Sequence, residues 1–137
     1  PAIRRDLGIQ FPFTVTDRAV GRLWYVDVAG AFTTARPELR RADVLWRTLG
    51  RAHVLARSQT GLDPFERPRL LILTPRLPRP RSEGDRALRT VGGAGFFDAV
   101  ELFEPTDVDR LVHYANQAGD RPLPGYWTED EIAFRFQ

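Results

Sequence analysis

Asp27 stands in the run Val26-Asp27-Val28-Ala29-Gly30, an acid set inside a β-branched and aromatic stretch that leads into a glycine. A carboxylate held near a strand end can ligate a hard divalent cation, and such a cation stabilises phosphoryl charge and lowers the pKa of a bound water. These ions want several oxygen ligands, so one aspartate needs companions. Asp6 and Asp17 are the nearest acids on the N-terminal side. Asp6 precedes the predicted strand and Asp17 falls in a predicted hairpin turn. A second chemistry is written in arginines and hydroxyls. Thr33, Thr34, Arg36, Arg40 and Arg41 surround a predicted helix start, Arg47 follows within that helix, and Arg76, Arg79 and Arg81 share a proline-broken loop. Hydroxyls, exposed amides and guanidinium forks are what a phosphate-backbone site uses, so these residues form the candidate nucleic-acid footprint.

The residue types that are missing limit the chemistry further. All 20 basic residues are arginine and lysine is absent, so the chain has anion clamps but no amine able to act as a base near neutral pH. The absence of cysteine removes disulfides, thiolate metal sites and a cysteine nucleophile, and it suits a reducing cytoplasm. No apolar run reaches membrane-spanning length and no signal peptide is visible, so no membrane partner is expected. With no methionine in the chain, Pro1 reads either as the residue exposed by initiator removal or as the cut end of a longer protein. Ser58 and Ser82 offer no nucleophile elbow, and His53 and His113 have no acid spacing that suggests metal ligation. The formal net charge of +2 hides a division: residues 1–97 hold seventeen arginines against nine acids, whereas residues 98–137 hold three against nine. That asymmetry suggests a basic face for a polyanion and an acidic end turned elsewhere.

The elements that must position these residues follow from pattern. Ile9 to Thr16 and Arg22 to Ala29, separated by Asp17 to Gly21, predict a β-hairpin. From Pro37 to Arg57 the pattern is helical, with Ala42, Leu45, Trp46, Leu49, Ala52 and Ala56 on one face and Arg40, Arg41, Arg47 and Arg51 mostly off it. Leu70 to Leu73, an apolar run between Pro68 and Pro75, predicts a strand buried on both faces and parallel to the one before the helix. Ser82 with Asp85 predicts the cap of a short helix closed at Gly92-Gly93, and Ala99 to Phe103 predicts another strand. Thr106 with Asp109 predicts a capping box for a helix running to about Ala118. Thr128 with Glu131 predicts a third box before the apolar end Ile132 to Phe136.

The stretch Phe11 to Gly30, with the helix and strand after it, resembles the core of the PD-(D/E)XK nuclease superfamily. There a Pro-Asp-aromatic strand and a strand ending in Asp or Glu, any residue, Lys, often then Gly, precede a helix and an inner strand. Val26-Asp27-Val28-Ala29-Gly30 is similar to the second half of that signature and Phe11-Pro12-Phe13 falls at the first half, a likeness spanning roughly residues 9–74. The resemblance implies metal-dependent phosphodiester cleavage, in which two acids hold Mg²⁺ and the lysine orients the attacking water; it makes Asp27 the candidate catalytic residue and Asp27 with Asp17 the candidate metal ligands. In this sequence Pro12 stands at the first acid position and Ala29 at the lysine position, and no lysine can have migrated from elsewhere.

The expectation is an α/β chain with a restriction-endonuclease-like mixed central sheet, an N-terminal β-hairpin followed by helix, strand, helix and strand, flanked by helices. Residues 1–119 form that domain, and residues 120–137 a tail whose short helix packs on the domain or on a partner. The expected function is nucleic-acid binding, DNA first, on a degenerate and non-cleaving scaffold without a cofactor. One alternative is an active Mg²⁺-dependent endonuclease with relocated ligands. Another is a protein-interaction module in which Trp127 to Phe136 docks on a homodimer partner or neighbouring domain.

Overall fold

The computed structural model describes residues 2–29, 42–63, 66–117 and 119–136. These residues form a mixed α/β arrangement with a four-stranded sheet between helical layers. The chain opens with β1 (Ala2–Arg4), a 3-10 turn (Arg5–Leu7) and β2 (Ile9–Phe11), which pair antiparallel with Ala2 opposite Phe11 as a separate two-stranded sheet. Next come β3 (Phe13–Thr16) and β4 (Leu23–Val28), paired antiparallel with Phe13 opposite Val26 and Thr16 opposite Leu23. The expected hairpin is therefore present, but its first arm is divided. Pro12 has no N–H to give to a ladder, so the strand stops there and its two halves enter different sheets.

Beyond β4 the described chain resumes at α1 (Ala42–Ser58), then β5 (Arg69–Thr74), α2 (Glu83–Gly95), β6 (Asp98–Glu101), α3 (Pro105–Asn116) and α4 (Glu129–Arg135). The sheet order is β3-β4-β5-β6, with β4, β5 and β6 mutually parallel. Alternation along β4 divides the two faces. Asp27 and Ala29 point toward the side of α1, while Trp24 packs against Phe97 and Tyr114 on the side of α3. Leu45, Leu49, Ala52 and Leu55 of α1, Leu88 of α2, and Leu70 and Ile72 of β5 fill the larger core. Fully burying one such leucine stabilises the fold by roughly 1.5–3 kcal/mol.

Several local expectations are corrected. The inward face of α1 carries Leu45, Thr48, Leu49, Ala52 and Leu55, and Trp46 is 63% exposed. Trp46 is one residue, or about 100° of helix turn, from Leu45, and the packed stripe runs on the other side of that leucine. The segment Pro37 to Arg41 lies outside the described residues. Ser82 caps α2 as expected, its hydroxyl accepting from Asp85 N at 3.3 Å. The break at Gly92 is a kink with φ +61 rather than an end, and a Cβ there would collide with the Arg135 guanidinium. Pro105 opens α3 with Glu104 as N-cap, so Thr106 is already inside the helix and forms no capping box with Asp109. The box of Thr128 with Glu131 is formed.

The acidic C-terminal stretch belongs to the same core as the sheet. Trp127 is fully buried, donates from Nε1 to Phe97 O at 2.9 Å and stacks on Phe96 at 5.1 Å. Tyr126 and Ile132 are buried beside it, and Arg89 of α2 joins this segment through Glu131 and Tyr126 O. On the opposite face, buried Asp98 accepts from Arg110 Nε at 3.0 Å and from the Tyr114 hydroxyl at 2.7 Å. No helix among the described residues is long and apolar enough to cross a membrane.

Candidate functional site

The site begins at the C-terminal ends of β4 and β5. Asp27 sits opposite Ile72 of the parallel neighbour, on the face covered by α1, and is only 1% exposed. A carboxylate taken so far out of water must be met by a cation or by donors. Arg51, reaching across from α1, meets it, with Nη2 3.0 Å from Oδ1 and 3.0 Å from Oδ2. The contact to Oδ2 is an ion pair without hydrogen-bond alignment, and Oδ2 and the Arg51 Nε are both buried without a hydrogen-bond partner among the described residues. Burial pushes the Asp27 carboxyl above its ordinary value, and the Arg51 charge and hydrogen bond, with a smaller pull from Arg47, only partly oppose it.

Two residues near Asp27 in the sheet carry no charge. Pro12 immediately precedes Phe13, whose partner across the ladder is Val26, the residue before Asp27. Ala29 is 2% exposed within the main core, its N–H donating to Leu73 O at 2.8 Å. Asp17 is elsewhere. It follows the far end of β3, opposite Arg22, about five residues or roughly 17 Å of strand from Asp27. Its carboxylate closes the hairpin turn, Oδ1 accepting from Val20 N and Gly21 N and Oδ2 from Trp24 Nε1 at 2.9 Å. Slight burial acts to raise the Asp17 carboxyl, and these hydrogen bonds outweigh it, leaving the group below its ordinary value. Asp6 lies in the 3-10 turn ahead of β2.

A Mg²⁺ ion fits this donor set poorly. Such an ion needs near-octahedral oxygen coordination, whereas Asp27 has one oxygen hydrogen-bonded to a guanidinium and the other within its ion-pair distance. No group of three ligating side chains occurs among the described residues. His53 is exposed on α1, and His113 lies beside Tyr114 on α3.

Four of the arginines singled out in the sequence lie within the described residues. Arg47 is exposed one helical turn before Arg51, and Arg76, Arg79 and Arg81 are exposed in the loop that leaves the C-terminal end of β5. Arg81 takes a left-handed φ of 65° and its N–H donates to Asp85 Oδ2, which fixes the end of the loop against α2. Thr33, Thr34, Arg36, Arg40 and Arg41 lie outside the described residues. Sequence reasoning placed Arg51 off the apolar stripe and missed its role. The 24 residues between it and Asp27 left no local signal for the pair.

No family model, curated protein or solved structure matches the chain.

Proposed function

We propose that this chain is a nucleic-acid-binding domain on a degenerate restriction-endonuclease-like scaffold, one that grips phosphates without cutting them. One observation carries the reading. At the end of the sheet where a nuclease of this kind would hold its cation, buried Asp27 is tied to Arg51, while exposed Arg47, Arg76, Arg79 and Arg81 lie on the adjoining helix and loop. An internal guanidinium has taken the position of a metal charge, so the carboxylate has one role, which is to hold Arg51 and α1 against the sheet. The antiparallel β3/β4 pair, the helix α1 and the parallel strand β5 support the scaffold assignment, and Pro12 and Ala29 support loss of the cutting machinery.

The test is a salt titration of binding to labelled duplex and single-stranded DNA. Affinity for duplex should fall with log salt at a slope of roughly −0.9 per phosphate neutralised, and changing Arg76, Arg79 and Arg81 to Gln should flatten the slope by roughly one unit each. A salt-independent signal, or none at low salt, ends the proposal. Incubation of plasmid with Mg²⁺ or Mn²⁺ should leave it intact. Cleavage that disappears in Asp27→Ala would replace the proposal with an active nuclease.

A further inference from the structure

A second concave region lies at the opposite end of the parallel strands, where β5 begins at Arg69 and the chain enters β6 after Phe97. It is a groove of about 740 Å³, within the range usual for small-molecule sites. In register, Arg69 faces Trp24 and Ile72 faces Asp27, so the groove is three strand residues, roughly 10 Å, from Asp27. Arg69 also points to the other face of the sheet, over the rings of Trp24 and Phe97. Five arginines line the groove against two aspartates, Asp63 and Asp120, and its walls include Leu55, Leu70 and Phe136.

We propose that this groove binds a phosphate monoester carried on an apolar, ring-bearing body, such as a nucleoside monophosphate, with Arg69 gripping the phosphate and Gln59 meeting an acceptor elsewhere on the ligand. Arg69 is already in place. Its guanidinium lies 4.3 Å from the Phe97 ring centre and 5.2 Å from that of Trp24, and stacking of this kind fixes the plane of the fork while leaving its N–H edges for a ligand. Asp120 and Asp17 attract it through space. Burial, with repulsion from Arg22, pushes its pKa down to about 10. A cation desolvated in this way gains more from an arriving anion than a solvated one does.

Gln59 is the independent observation. It is 7% exposed, lines the groove, and its Nε2 is buried with no hydrogen-bond partner among the described residues. Buried donors are nearly always served, so an orphan amide on the wall of an arginine-rich groove calls for an acceptor that comes and goes. An excess of positive charge suits a dianionic monoester better than the single charge of a diester. Half-buried Pro68 and Phe136 on the groove wall supply apolar surface for a base or another ring.

This inference does not rest on the scaffold reading, and its test is separate. Calorimetric titration of the full chain at low ionic strength would use AMP, UMP, inorganic phosphate and adenosine. AMP and UMP should bind, phosphate more weakly, and adenosine not at all. Arg69→Gln and Gln59→Leu should each weaken AMP binding by roughly tenfold or more, as expected for a lost hydrogen bond. Arg86→Gln, on the exposed side of α2, should leave AMP binding unchanged. If Arg69→Gln unfolds the protein, Gln59→Leu and Arg121→Gln at the groove rim carry the same test. Comparing oligonucleotides with 5′-phosphate and 5′-hydroxyl ends identifies the source. Preference for the phosphorylated end points to a nucleic-acid terminus, and tighter binding of AMP than of either points to a free nucleotide. No heat with any phosphate at millimolar concentration, unchanged affinity in folded Arg69→Gln and Gln59→Leu, or equal Arg69-dependent binding of both oligonucleotides overturns the proposal.

Discussion

Replacing Arg51 with Leu should expose how much of the fold depends on compensating one buried charge. The substitution keeps most of the apolar stem that packs on the sheet but removes the guanidinium that lies 3.0 Å from both Asp27 oxygens. Asp27, 1% exposed, then has two courses. It can stay ionised, and breaking one side of a buried pair costs about 3–5 kcal/mol. Alternatively it can take up a proton, at about 1.36 kcal/mol for each unit between the solution pH and its ordinary value of 3.8, or about 4 kcal/mol at pH 7. The cheaper course sets the ceiling. At pH 5 the same arithmetic gives only about 1.6 kcal/mol. The unaltered protein already bears part of this cost, because burial leaves the Asp27 carboxyl raised even with Arg51 present. The expected loss is therefore about 2–3 kcal/mol at pH 7 and under about 1.5 kcal/mol at pH 5. The sign follows from the direction of the shift. A raised carboxyl contributes its stability fully below its unfolded value and loses it as pH rises through its folded value, and the variant should decline more steeply over that interval. Urea unfolding followed by far-ultraviolet circular dichroism at pH 5, 6 and 7 measures this. Adding Asp27→Asn to the variant should recover at least half of the loss at pH 7. A loss below about 0.5 kcal/mol at pH 7, or one equal at pH 5 and pH 7, would refute the view that Arg51 neutralises Asp27.

Two further outcomes concern the frame around the sites. Trp127→Ala should cost about 3–5 kcal/mol in urea unfolding, whereas Trp127→Phe, which retains a ring but orphans Phe97 O, should cost about 1–3 kcal/mol; equal losses would show that the indole hydrogen bond is immaterial. Asp17→Ala should remove about 1–2 kcal/mol at neutral pH through loss of the turn and Trp24 contacts. Because the Asp17 carboxyl is lowered, that contribution is present above its unfolded value and disappears as pH falls through the folded one. Thermal melts should therefore converge for the two proteins in acid, and a difference that persists at pH 2 would contradict the assignment.

The elements were legible where local chemistry decides them. Ser82 and Thr128 cap helices because a hydroxyl three residues ahead of an amide suffices, and Leu70 to Leu73 between two prolines has no other ordered form open to it. Pro12 was visible as a residue, but its effect depends on β1 being available to capture Ile9 to Phe11, which is a pairing across the chain. The inward turn of α1 was misjudged at Trp46 because aromatic size suggests burial, while the sheet selects Thr48 and Leu55. The candidate site divides in the same way. Asp27 was recognisable from its strand, yet its partner stands 24 residues later, and no periodicity in the sequence links an acid in β4 to a guanidinium in α1. The Arg69 groove was hidden for a related reason. Its arginines come from the turn before β4, the approach to and start of β5, the link between α3 and α4, and the end of α4, and only folding brings them to one rim.

The burial of Trp127 also bears on synthesis. Phe11 and Trp127 occupy one core, so the layer containing α1 and α2 cannot close until more than a hundred residues separating them have left the ribosome. The nascent chain must carry an open apolar face through most of its translation, and folding becomes a single late event instead of a stepwise one.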